Sequence, residues 1–184
     1  MFIGTEGIGK AMFAKSFANM ILCLSNDKKP CERCKPCIEF LGNSNPDFMQ
    51  IEADDGKSIK IEQIRQLQQK VIEKPINSNR KVYIINNSDL MTKEAQNCLL
   101  KTLEEPPEFV IIILVLANES KILNTVKSRC MRIFFSKLKD EELKKYAYRE
   151  YNEAEIKEGM IKNASGSIST VSYTHLTLPT IRLV

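Results

Sequence analysis

The run Phe-Val-Ile-Ile-Ile-Leu-Val-Leu-Ala at positions 109–117 has no polar residue, and that pattern excludes most folds. A strand with one face in water alternates polar and apolar side chains. A strand without alternation is covered on both faces, as the strands of parallel sheets are. The run is far too short to cross a bilayer as a helix. A chain of 184 residues, 43% hydrophobic and 27% charged, can bury the core that such a sheet needs. It has the length of one domain and a fraction.

The rest of the sequence alternates strand and helix patterns around that run, which is the order of a parallel sheet covered on both sides. Met1–Ile3 reads as the end of a strand feeding a glycine loop. Met12, Phe13, Phe17, Met20, Ile21 and Leu24 recur at helical spacing after it. A short helix is expected to end near Leu41, and "DFMQIEA" (47–53) reads as a strand. Ile61, Ile64, Leu67 and Val71 line one face of a helix over 61–73 that stops before Pro75. "KVYIIN" (81–86) is a strand. Thr92 is placed to cap a helix bearing Ala95, Cys98, Leu99 and Leu103, which ends at Pro106-Pro107. "SKILNTVKS" (120–128) reads as one short helix and "CMRIFF" (130–135) as a last strand. Beyond Ser136, Asp140 is expected to cap a helix with Leu143, Tyr146 and Ala147, and a second helix holds Ile156, Met160 and Ile161.

"GTEGIGKA" (4–11) has the strand-loop-helix setting of a phosphate-binding loop: Gly4, Gly7, Gly9 and Lys10 stand where backbone N–H groups and an ammonium would cradle phosphate. The hydroxyl that should follow the lysine and hold magnesium is replaced by Ala11. The acidic pair expected at the end of a neighbouring strand is replaced by Asn86 and Asn87, whose amides bring no charge to a metal and accept no proton from water. Asp89 lies further on, where a turn or cap role suits it. Hydrolysis is therefore not expected of this loop, while ATP binding is left open. With magnesium chemistry gone, Lys10 has a plainer role too, holding an anion or a carboxylate.

Cys23, Cys31, Cys34 and Cys37 form a C-x7-C-x2-C-x2-C cluster within 23–37. Tight x2 turns aim pairs of sulfurs at one ion, and four thiolates match a closed, structural zinc site. Lys28, Lys29, Arg33 and Lys35 offset its negative charge. The spacing leaves an iron–sulfur cluster, disulfides or a redox C-x-x-C as alternatives. No signal-peptide pattern opens the sequence, so the cysteines are read against a reducing cytosol and a cytoplasmic location is expected, with no membrane partner. Cys98 and Cys130 are expected in the core. Net charge is +4 with signs mixed, which permits nucleic-acid contact without arguing for it.

Taken together, "FIGTEGIGKAMFAKSFA", the cysteine insertion, "KVYIINNSDLMTKEAQNCLLKTLEEPP" and "NTVKSRC" resemble the bacterial clamp-loader AAA+ subunits over residues 1–171. That family comprises the ATP-hydrolysing gamma/tau subunits and the delta-prime subunit of DNA polymerase III, which is commonly degenerate at its own nucleotide site. Ala11, Asn86 and Asn87 fall on the delta-prime side. So does Ser169, which stands where hydrolysing members carry the arginine of "GS-x-R". The family usually has proline where this chain has Asn124, a departure that loosens the start of the following helix.

The resemblance implies an α/β fold: a RecA-like AAA+ core over 1–136 with the zinc insertion at 23–37, and a partial helical lid over 137–171. It implies that Arg129 acts in trans as an arginine finger in the ATP site of a neighbouring subunit. Taken alone, the residue reads as a surface or strand-start arginine. The implied partners are gamma/tau and delta subunits, with the sliding clamp and primed DNA reached through the complex. It also implies that a helix and most of a strand precede Met1 and that a helical collar follows the lid, so poor assembly is expected of this chain. The tail at 172–184, without an acidic residue or a helical stripe, is expected to be non-native. Two rival functions are an active gamma/tau-type ATPase and a zinc-dependent nucleic-acid-binding module.

Overall fold

The structure, a computed structural model, describes residues 1–54, 56–150 and 166–168, with backbone alone over 146–150. The side chains of Tyr146 and Ala147, the expected second helix at 156–161, Ser169 and the 172–184 tail lie outside the described residues. The chain divides into two compact units: one of residues 1–3 and 11–134, the other of residues 4–10 and 135–184.

Among the described residues of the first unit, five parallel strands form one sheet in the order β2-β3-β4-β1-β5. They are β1 (Phe2–Ile3), β2 (Phe48–Ile51), β3 (Lys81–Ile85), β4 (Val110–Leu116) and β5 (Ile133–Phe134). β4 is the apolar run. Ile113, Leu114, Val115 and Leu116 in it are buried, because β3 and β1 flank it and both faces are covered. β3 is buried along its whole length. β1 contributes two rungs on each side: Phe2 opposite Val115 and Ile133, and Ile3 opposite Leu116 and Phe134.

The helices are α1 (Lys10–Leu22), α2 (Lys35–Leu41), α3 (Ile61–Val71), α4 (Lys93–Glu104) and α5 (Asn124–Lys127). In α3 the spacing holds: Ile64, Leu67 and Val71 are buried. The Thr92 hydroxyl caps α4 by accepting the Ala95 N–H at 3.2 Å, and Ala95 and Leu99 are fully buried. These residues join Ile59, Ile85, Leu114 and Val126 in one core. Each fully buried leucine or isoleucine contributes about 1.5–3 kcal/mol.

Four local expectations change. The apolar stripe of α1 is not its buried face: Ala14, Ala18 and Leu22 are buried, while Phe13 is 49% and Met20 42% exposed, with Met12, Phe17 and Leu24 exposed beside them. Ala14 and Ala18, small residues at i and i+4, allow close packing on one side with Leu22 continuing that face, and the aromatic and methionine side chains are left outside. Phe13 and Phe17 stack on each other at 6.2 Å between ring centroids, and Phe13 meets Phe2 of β1 edge-on at 5.6 Å. The expected helix over 120–128 splits into a 3-10 turn at Glu119–Lys121 and α5, because Ile122 and Leu123 adopt extended backbone. Asn124, where the family usually has proline, is the first residue of α5. Cys98 and Cys130 are half-buried rather than buried, and the Cys98 thiol faces the Gln68 side-chain oxygen at 3.1 Å.

In the second unit the loop of residues 4–9 leads into α1, and α6 runs over Asp140–Glu150. Asp140 is not its cap. The Lys139 N–H donates to the Glu142 carboxylate at 2.9 Å and the Lys139 carbonyl accepts from Leu143, so Lys139 holds the cap position and Asp140 begins the helix. Leu143 is fully buried, as its place in the apolar stripe requires.

Candidate functional site

The glycine loop has the backbone that its sequence demands. Gly7 and Gly9 have φ values of 80° and 91°, in the left-handed region where a Cβ is costly. Lys10 begins α1 and is 7% exposed. Its ammonium donates to the carbonyls of Gly4 and Thr5, both at 2.7 Å, and so closes the loop on itself. Ala11 follows with no oxygen to offer a metal.

Asn86 and Asn87 follow β3. The Asn86 amide donates to the Glu52 carboxylate at 3.1 Å, beyond the end of β2. A carboxylate at position 86 would face Glu52 charge to charge. Asn87 has φ 47°, ψ 46° and starts the 3-10 turn Ser88–Leu90, a left-handed position that asparagine tolerates better than most residues. Both asparagines therefore have local work in the fold. Asp89 accepts the Asn118 N–H at 3.2 Å and ties the turn after β3 to the loop after β4, the turn role its position suggested.

The four cysteines converge. Cys23 lies just past α1, Cys31 and Cys34 lie in the loop before α2, and Cys37 lies within α2. Their sulfurs all fall within 4.8 Å of one another, with Cys23 and Cys34 Sγ 4.0 Å apart. In a tetrahedral site with metal–sulfur bonds of 2.3 Å, sulfurs stand about 3.8 Å apart, so the cluster has the size to hold a metal ion. Backbone N–H groups already point at sulfur: Cys34 N–H at Cys31 Sγ (3.3 Å) and Ser25 N–H at Cys23 Sγ (3.4 Å). Such donors stabilise thiolate and orient ligands. Hydrogen bonds from the Arg33 and Cys34 backbone bring the Cys31 thiol down to about 6. Burial pushes the Cys37 thiol up to about 12.

Arg129 follows α5. Its guanidinium donates to the Thr125 carbonyl at 2.8 Å and pairs with Glu104 at 2.7 Å, with 35% of its side chain exposed. An open cleft of ≈ 540 Å³, lined by Ser120, Asn124, Lys127, Ser128 and Arg132, adjoins this segment. Gln96 in α4 holds the segment from the other end. Its amide donates to the Met91 and Lys121 carbonyls, and its oxygen accepts the Leu123 N–H at 2.8 Å. Sequence reasoning missed Gln96; a buried amide inside an apolar helical stripe was the available signal.

No described helix is long and apolar enough to cross a membrane. In fold, the chain is similar to a DNA polymerase III gamma subunit-related protein of Thermotoga maritima (TM-score 0.64, 21% identity, covering 96% of this chain and 52% of that one). It is similar too to the RuvB Holliday junction branch migration motor of that organism (TM-score 0.61, 13% identity, 95% of this chain and 52% of that one). These likenesses bear out the fold, a parallel sheet with flanking helices. In sequence it is 35% identical over 143 residues to DNA polymerase III subunit delta' of Bacillus subtilis, 78% of this chain and 43% of that protein. It is also 35% identical over 141 residues to subunit gamma/tau of Mycoplasma pneumoniae, 77% of this chain and 20% of that protein. The chain thus spans less than half the length of these relatives. The family described as DNA polymerase III, delta subunit, matches residues 1–139, most of the chain, and to that family this chain belongs.

Proposed function

We propose that this chain is a delta-prime-type subunit that hydrolyses no ATP itself, supports loading of a sliding clamp on primed DNA, and lends Arg129 to the ATP site of a neighbouring gamma/tau subunit. The observation that carries the reading is the Asn86–Glu52 hydrogen bond at 3.1 Å. The position that should carry a magnesium-binding carboxylate is instead committed to an amide donor. Ala11 and the closure of Lys10 on Gly4 and Thr5 agree with it. Gly4, Gly7, Gly9 and Lys10 then form a degenerate phosphate loop whose glycines keep the turn.

On this reading Arg129 works beyond its own chain. A guanidinium in line with a transferring phosphoryl group stabilises its spreading charge, worth about 10³–10⁵ in rate in well-studied NTPases. Cys23, Cys31, Cys34 and Cys37 hold a structural zinc, which fixes the insertion and leaves no ligand position open for catalysis. Gamma/tau and delta subunits are the direct partners, and the setting is cytoplasmic. The reading keeps the AAA+ core at 1–136, the lid at 137–171 and a non-native tail at 172–184.

The test is ATP turnover by the purified full-length protein. We expect none above background, with or without Lys10→Ala. Turnover that Lys10→Ala abolishes would instead make the chain an active ATPase of the gamma/tau type.

A further inference from the structure

Glu104 is the last residue of α4, and Pro106-Pro107 fix where that helix stops. A carboxylate at a helix C-terminus faces the negative end of the backbone dipoles and is unfavourable there unless a cation answers it. Arg129 answers it, Nη2 to Oε1 at 2.7 Å. The other terminal nitrogen, Nη1, donates to the Thr125 carbonyl at 2.8 Å and lies 3.5 Å from the Ser128 hydroxyl. Two elements distant in sequence therefore grip the two ends of one guanidinium fork. These contacts use Nη1 and Nη2. About a third of the side chain remains open to solvent.

We propose that Glu104 is a positioning residue for Arg129: with Thr125 it holds the guanidinium plane in a set orientation before a neighbouring subunit arrives. The proposal rests on the reading of Arg129 as an arginine that acts in trans. An unrestrained arginine loses its rotamer freedom on meeting a phosphate, and one already held by a fork loses less. The carboxylate also screens the guanidinium from the wrong anions, and a triphosphate carrying more charge can still take over the exposed donors. Glu104 touches neither substrate nor the reacting atoms. Its effect passes through the arginine.

The experiment uses the full-length protein assembled with gamma-type ATPase subunits, with ATP hydrolysis by the complex as readout. Four forms are compared: wild type, Glu104→Gln, Arg129→Ala and the double variant, with Glu104→Asp as the conservative rescue. Complex formation is followed by size-exclusion chromatography.

Arg129→Ala should remove the turnover of the one site that this subunit serves. Glu104→Gln should assemble normally and lower kcat at that site on the order of tenfold with KM little changed, since misplacing a catalytic group costs rate. Glu104→Asp should recover part of the loss. The double variant should be no worse than Arg129→Ala alone, as expected of two residues acting in series. If Arg129→Ala is silent, the in-trans reading fails. If Arg129→Ala removes turnover while Glu104→Gln leaves kcat unchanged or raises it, the positioning role fails and the in-trans reading stands. A Glu104→Gln loss that persists undiminished in the Arg129→Ala background would mark a structural effect and overturn the proposal.

Discussion

The carboxylate of Asp47 accepts the backbone N–H of Asn77 at 2.7 Å, across thirty residues of sequence. It accepts the Ile76 and Ser78 N–H groups at the same distance, and Asp47 is 1% exposed. One side chain at the start of β2 thus satisfies three consecutive donors in the loop before β3. Asn77 carries the contact onward, donating to Glu39 of α2 at 2.7 Å. Asp47→Ala would leave those part-buried donors without their acceptor, each costing about 1–3 kcal/mol where water cannot replace it. We expect a loss of about 3–5 kcal/mol, read as a lower urea midpoint with unchanged slope.

Metal removal should act on the same corner of the fold. α2 contains Cys37 and Glu39, and Phe40 packs on Phe48 of β2 at 4.6 Å between centroids. The purified protein should carry one zinc per chain by elemental analysis. Chelation or Cys37→Ser should lower thermal stability and speed hydrogen exchange over 35–41 ahead of β3 and β4. A metal-free preparation of equal stability would count against a structural zinc.

At the nucleotide loop, restoring only one group should restore nothing. Ala11→Thr returns a hydroxyl but leaves Asn86 bonded to Glu52. ATP turnover by Ala11→Thr is therefore expected to stay at background. Asn86→Asp sets a carboxylate against Glu52, and calorimetry should show it less stable than wild type by about 1 kcal/mol. A gain of stability would refute the pairing.

Thr92→Ala removes the cap of α4 and should cost about 1 kcal/mol. It should also reshape the acid limb. The Glu94 carboxyl is held below its ordinary value, first by its own backbone N–H and then by the Thr92 hydroxyl. A carboxyl lowered in the folded state adds stability above its unfolded value and loses it as pH falls through the folded one. The Thr92→Ala penalty, followed by thermal unfolding across pH, should therefore shrink as pH falls below the ordinary glutamate value.

Periodicity could show what repeats along one element: the buried run of β4, the stripe of α3, the cap at Thr92 and the x2 turns of the cysteines. It misled in α1, because Phe13 and Phe17 outweigh Ala14 and Ala18 in any hydrophobic count, although the small side chains form the buried face. It could not separate the turn at Glu119–Lys121 from α5, since extended backbone at Ile122 leaves no mark in composition. Long-range polar partners were equally hidden. Asp47, Gln96 and Glu104 look like ordinary surface residues until the fold brings Asn77, Leu123 and Arg129 to them.

The order of the sheet has a kinetic corollary. β1 pairs with strands more than a hundred residues away, Phe2 and Ile3 with Val115, Leu116, Ile133 and Phe134, and such contacts carry a large loop-closure cost. The ladder from β2 through β3 to β4 closes shorter loops. A reporter on Ile84 is therefore expected to gain protection before one on Phe134 as the chain refolds.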